Sequence, residues 1–239
     1  MRATWIASIA MLSLAACNDK SDKGATTSTS SPAPALTSED PGELWKGLLE
    51  GNARYREAKA AHPRQDAQAR GAVATTQKPK IAVLACADSR VAPEILFDQG
   101  LGDLFVVRVA GNVDDDDTTA SLEYTVEHLG TRLIVVLGHE RCGAVKAALA
   151  GGTLPGHLPA LIAHVKPAVD SIPADDKDRE NRVIAANARM TAERLAAQPI
   201  FAEAIEKHHL AIRAAVYDLD TGEVAEVATK AAEPAGAHR

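Results

Sequence analysis

The sequence predicts an α/β fold: a mostly parallel central β-sheet flanked by α-helices, with an N-terminal helical arm and a C-terminal edge hairpin. Three observations lead there. Residues 81–85, 104–109 and 133–137 are short, nearly continuous apolar runs of Val, Ile, Leu, Ala and Phe, the composition of strands buried on both faces. Helical patterns lie between and after these runs, the alternation expected of βαβ units around a parallel sheet. Near the end the period falls to two through Ile212, Ala214 and Val216, and a turn at residues 218–222 leads into a return strand carrying Val224 and Val227.

Taken in order, residues 1–16 carry one positive charge at Arg2, an apolar run from Trp5 to Leu14 and then small Ala15 and Ala16, which reads as a signal peptide too short to span a bilayer comfortably. Leu14-Ala15-Ala16-Cys17 resembles the lipobox of bacterial lipoproteins, so Cys17 is expected to be lipidated and to become the new N-terminus; ordinary cleavage at the small residues is the alternative. Residues 17–38 are then a lipidated cysteine and a flexible linker, because Ser, Thr, Asp, Lys, Ala and Pro dominate and too little apolar surface exists to offset ordering entropy. The folded domain is expected over residues 39–230, followed by a disordered tail at 231–239.

Within the domain, Asp40 and Pro41 supply helix-start chemistry, and Leu44, Trp45, Leu48, Leu49 and Tyr55 recur at helical spacing, which predicts a first helix over about 41–60. Between the second and third strands, Leu122, Val126 and Leu129 mark another helix. Asp114 to Asp117 precede it, and carboxylates are favoured at a helix N-terminus. Further helices are expected at 144–150, 158–171, 175–198 and 199–208.

The chain has 239 residues with a net charge of -6 and no basic block, which gives no electrostatic footprint for nucleic acid. Three cysteines are too few for a disulfide scaffold. Two of them fall where an open α/β sheet collects its functional groups, at the carboxyl ends of strands near a topological switch point. Cys86 follows the 81–85 run by one residue; His139 and Cys142 follow the 133–137 run at H-x-x-C spacing. Two thiolates and an imidazole suit zinc with a fourth position open. Buried cysteine filler, or a Cys86–Cys142 disulfide in an oxidising compartment, explains the same spacing. Asp88 and Arg90, two and four residues after Cys86, form either a carboxylate–guanidinium pair beside a metal or a surface ion pair of little energetic weight.

At these residues the sequence resembles the β-class carbonic anhydrases. Cys86-Ala87-Asp88-Ser89-Arg90 matches the family's C-x-D-S-R, and Gly138-His139-Glu140-Arg141-Cys142-Gly143 matches its G-H-x-x-C-G, with supporting matches at residues 102–112, 121–124 and 217–222 in the family's order. The resemblance implies one Zn²⁺ per chain on Cys86, His139 and Cys142, with Asp88 and Arg90 as the catalytic, orienting pair. It implies a substrate pocket formed by Gln77, Phe105, Tyr124 and the Gly143 N–H, the first three serving a neighbouring chain's zinc in a homodimer or higher homo-oligomer. Val83 stands where members of the bicarbonate-regulated branch tend to carry Trp, so Asp88 is expected on Arg90, not on the metal. The implied reaction is reversible hydration of carbon dioxide to bicarbonate and a proton by zinc-bound hydroxide, in a cell envelope to which the lipid ties the enzyme. The rival readings are hydrolysis of carbonyl sulfide or carbon disulfide on the same ligands, and a non-catalytic zinc or thiol lipoprotein.

Overall fold

The computed structural model describes residues 33–229. The signal peptide, Cys17, most of the linker and the C-terminal tail lie outside the described residues. Among the described residues five strands form one sheet: β1 (Ile81–Ala85), β2 (Leu104–Arg108), β3 (Leu133–His139), β4 (Ala211–Tyr217) and β5 (Val224–Val227), in the order β2-β1-β3-β4-β5. All neighbours are parallel except β5, which returns antiparallel along β4 as the edge hairpin. From β1 the chain moves outward to β2 and then crosses back over β1 to β3. The β1–β3 boundary is therefore the switch point, and the crevice lies beyond the carboxyl ends of these two strands.

Side-chain alternation sorts the core into two layers. Ile81, Val83, Ala85, Leu133, Val135 and Leu137 pack under Leu44, Trp45 and Leu48 of α1 (Pro41–Arg56) and Leu96 of α3 (Pro93–Leu96). Ala82, Leu84, Ile134 and Val136 face Leu122 of α4 (Asp116–Tyr124), Ala188, Ala192 and Leu195 of α7 (Arg179–Ala196), and Phe201 of α8 (Pro199–Lys207). Both faces being covered, β1 and β3 are apolar at nearly every position.

Several boundaries differ from the sequence pattern, each for a local reason. The first helix stops at Arg56: Ala58 turns at φ +53°, and the next amides, Ala61 and His62, donate to the buried Asp98 carboxylate at 2.9 Å. The long helix starts at Arg179, because residues 173–178 form turns in which Asp176 accepts from the Asp178 N–H. After α4 the chain runs through one π turn, Thr125–Leu129, and stops at Gly130 in the left-handed region. Two short helices, α2 (Ala67–Ala72) and α3, had no visible period. The last linker residues also join the fold. Ala33 is buried, its carbonyl accepts from Arg64 Nη1 at 2.8 Å, and Leu36 packs where a Cβ on Gly47 would stand. The Asp114–Asp117 run caps α4: Asp115 and Thr118 exchange side chain-to-backbone bonds in a capping box, while Asp114 receives the Arg194 guanidinium. His208 and His209 are exposed at the end of α8.

Candidate metal centre

Cys86 lies one residue beyond β1, His139 ends β3, and Cys142 is the N-cap of α5 (Gly143–Ala150). Parallel pairing in the register Ala85↔Leu137 brings the two strand ends side by side. The Cys86, His139 and Cys142 donor atoms all lie within 4.8 Å of one another, and all three residues are buried. Both cysteines are free thiols.

The histidine is set for a metal. Its Nδ1 lies 2.8 Å from the Glu140 carbonyl, which can only accept, so the proton resides on Nδ1 and Nε2 presents its lone pair. That Nε2 is buried with no hydrogen-bond partner among the described residues. An orphaned acceptor between two sulfurs fits a thiophilic divalent cation and fits little else. The thiols fit it too. Hydrogen bonding from the Cys142 thiol, offset by burial and assisted by the N–H groups of Gly111 and Asp88, holds the Cys86 thiol well below its ordinary range. Cys142 is pushed up, chiefly by that shared proton, although the Ala144 and Val145 N–H groups at the start of α5 favour its thiolate. Ionisation of either thiol thus opposes that of the other, and a divalent cation would allow both to bind it as thiolates.

Asp88 and Arg90 form a closed fork above this cluster. Arg90 Nε donates to Asp88 Oδ1 at 2.9 Å and Nη2 donates to Oδ2 at 2.8 Å, while the Arg90 backbone N–H also reaches Oδ1 at 3.0 Å. The guanidinium holds the Asp88 carboxyl well below the usual carboxylate range. Oδ2 stands 3.9 Å from His139 Nε2, so the free side of the carboxylate overlooks the position a metal would take. Arg108, on β2, fastens the loop from behind by donating to the carbonyls of Cys86 at 3.1 Å and Asp88 at 2.6 Å.

A cavity of about 460 Å³ opens onto Cys86 and Asp88, walled mainly by Ala110, Ala144, Ala147, Leu161 and Ile162, with Gly143 at its edge. Gly143 is exposed and begins α5, so its N–H is among those a helix leaves without an internal partner. Gln77, Phe105 and Tyr124 do not line this cavity in their own chain. Gln77 is exposed; Phe105 and Tyr124 form a tilted ring pair with centroids 6.4 Å apart, on and beside the edge strand β2. The sequence did not disclose the Gly111 N–H, which donates to Cys86 Sγ at 3.3 Å. A glycine before Asn112 was its only trace.

A parallel α/β sheet with two thiols and one imidazole at its switch point, and space for a fourth ligand, defines a protein with a catalytic-type zinc site. The comparisons with known proteins narrow that class. A family model described as carbonic anhydrase matches residues 81–224. Carbonic anhydrase 2 of Mycobacterium tuberculosis is 43% identical over 192 residues, covering 77% of this chain and 91% of the relative. The carbonic anhydrase of Pseudomonas aeruginosa is 33% identical over 75% of this chain and 86% of its own length. Among solved structures, the Coccomyxa β-carbonic anhydrase in complex with acetazolamide matches with a TM-score of 0.64 at 32% identity, over 78% of this chain and 87% of that one. One of two tetrameric β-carbonic anhydrases from Sordaria macrospora matches at 0.63 and 28% identity, over 77% and 96%. The chain belongs to the β-class carbonic anhydrase family, whose cofactor is zinc.

Proposed function

We propose that the protein catalyses the reversible hydration of carbon dioxide to bicarbonate and a proton, with Cys86, His139 and Cys142 holding zinc. The observation that carries this reading is the placement of the ionised Asp88–Arg90 fork and an apolar cavity around one three-donor cluster. When bound, zinc supplies Lewis acidity that lowers the pKa of a coordinated water to about 7. Everything else is the work of the chain. Asp88 keeps one lone pair of Oδ2 to accept a hydrogen bond from the nucleophile and so directs its reactive lone pair toward the cavity, while Arg90 keeps the carboxylate ionised. The cavity walls receive a small, uncharged, linear molecule without competing hydrogen bonds. The Gly143 N–H, at the positive end of α5, is offered to the oxygen that gains charge.

The finer assignments extend this reading. Gln77, Phe105 and Tyr124 sit outside their own cavity, Phe105 and Tyr124 on and beside the half-buried edge strand β2, which supports a homo-oligomer in which the three complete a neighbour's pocket. The apolar run ending in Leu14-Ala15-Ala16-Cys17 supports export and lipidation, with the enzyme tethered in the cell envelope. Labelled palmitate entering the wild type but not Cys17→Ser would support that tether; equal labelling would remove it.

The activity is tested by zinc analysis and stopped-flow CO₂ hydration on residues 18–239 beside Cys86→Ser. One zinc per chain and rapid hydration, both lost in the variant, are expected. A wild type that holds zinc and hydrates no CO₂ refutes the reading and turns attention to carbonyl sulfide and carbon disulfide.

A further inference from the structure

Helix α7 packs the sheet with small apolar residues, and among them stands one buried amide. Asn187 is 2% exposed, on the face that also buries Val183, Ile184, Ala188 and Thr191. A buried amide is costly unless hydrogen-bonded. Asn187 Nδ2 donates to the Gly111 carbonyl at 2.8 Å, 76 residues away in sequence. Gly111 in turn donates its N–H to Cys86 Sγ at 3.3 Å. The two bonds flank a single α-carbon.

That α-carbon is unusually free to turn. Gly111 has φ +78°, and an added Cβ would stand 3.0 Å from the Ala144 Cβ and 3.4 Å from Val165, so a side chain placed there to hold the loop would be strained. The backbone must be held from outside. Before Gly111 the chain is tied by the β1–β2 pairing, through Val109 N–H to the Ala85 carbonyl at 3.1 Å; after it, the Gly111 carbonyl is held by Asn187. We propose that Asn187 is a positioning residue for the metal centre, fixing the backbone on the far side of the Gly111 α-carbon so that the Gly111 N–H stays on the Cys86 sulfur and limits the charge this ligand gives the metal. The inference rests on Cys86 being a metal ligand and goes beyond it, since it assigns a role in tuning that ligand to a residue on a distant helix. Partners that orient metal ligands commonly affect metal affinity or activity by about 10- to 100-fold.

The test reads the metal–sulfur bond directly, so it does not depend on turnover. In wild-type protein loaded with cadmium-113, the Gly111 amide proton is expected to show scalar coupling to the metal through Cys86 Sγ; no coupling overturns the proposal without any variant. Asn187→Ala is expected to lose that coupling, to move the sulfur-to-metal charge-transfer band of the cobalt(II) protein to lower energy, and, because the Cys86 sulfur is no longer held in place, to weaken zinc binding in chelator competition by about tenfold or more despite the greater charge on that sulfur. Should Asn187→Ala not fold, Asn187→Leu, close in volume and without any donor for the Gly111 carbonyl, is read in the same way. Unchanged coupling and band position in a folded, loaded variant, whatever its melting temperature, reduce Asn187 to a packing residue and overturn the proposal. A wild type with the expected coupling but no CO₂ hydration refutes the proposed activity and leaves this inference standing.

Discussion

Replacing Asp88 by asparagine changes almost no volume and reverses one hydrogen bond. In the wild type Oδ1 is occupied by two donors, the Arg90 N–H and Nε, whereas Oδ2 accepts only from Nη2 and keeps its other lone pair toward the metal site. An asparagine has one oxygen, and the two donors at the Oδ1 position claim it. Its NH₂ then replaces Oδ2, facing the Nη2 donor on one side and turning an N–H toward the nucleophile on the other. The variant loses a charge-assisted bond of about 1.5–3 kcal/mol and gains a misdirected donor of about 1 kcal/mol. A total of about 2.5–4 kcal/mol, at 1.36 kcal/mol per decade, gives roughly 10²–10³-fold in kcat/KM. Stopped-flow hydration, with zinc measured on the same sample, reads the effect. Zinc should stay at one per chain, because Asp88 is assigned no place among the ligands. A fully loaded variant within about threefold of wild type would refute the reasoning about lone-pair direction, and a variant that loses its zinc would refute the separation of Asp88 from the ligand set.

Asp98 gives a pH-dependent prediction. Burial alone would raise its pKa, but the Ala61 N–H, Arg54 and the His62 N–H hold it below the ordinary value. Its stabilisation is therefore full above the unfolded pKa of about 3.9 and is lost as pH falls through the folded value. Asp98→Asn, tolerable at φ +48°, should cost about 2 kcal/mol at neutral pH, and its gap from wild type should close below about pH 4 in urea titrations. Gly51→Ala places a Cβ 1.9 Å from the Phe97 carbonyl oxygen, forcing α1 off α3. Calorimetry should show a loss of about 3 kcal/mol, which is roughly 6–12 °C in Tm. Chelation of the wild type should bare two reactive thiols in residues 18–239, and mild oxidation should then join Cys86 to Cys142, whose sulfurs lie within 4.8 Å; mass spectrometry that finds both thiols still free would count against a metal site here.

How much of this was legible in the sequence depended on how local the signal was. Strands β1 and β3 announced themselves because burial on both faces leaves no polar position to obscure them. The metal ligands were legible because Cys86 and His139-x-x-Cys142 follow such strands at once, where an α/β sheet opens its crevice. Helix α3, four residues long, offers no period to detect. The end of α1 was misjudged because its cause, the pull of Asp98 on two amides, is tertiary. Asn187 was invisible for a similar reason: a single polar residue within an amphipathic helix looks like an interruption until the structure supplies Gly111 as its partner. Gln77, Phe105 and Tyr124 became candidates only through family resemblance, since no spacing ties them to the cysteines.

The parallel pairing of β1 with β3 also sets when the metal can arrive. Neighbouring parallel strands cannot meet through a tight turn, and here β2, α4 and the π turn must be laid down between them before Cys86 approaches His139. Contacts so distant in the chain form late, after much of the loop-closure entropy has been spent. Zinc therefore cannot template this fold as it does in a small finger domain; it enters a scaffold already built. During the interval the two sulfurs are neighbours without a cation. A substitution that merely slows the crossover would lengthen that interval, and its damage would show as a smaller metal-loaded fraction while each loaded molecule worked at full rate.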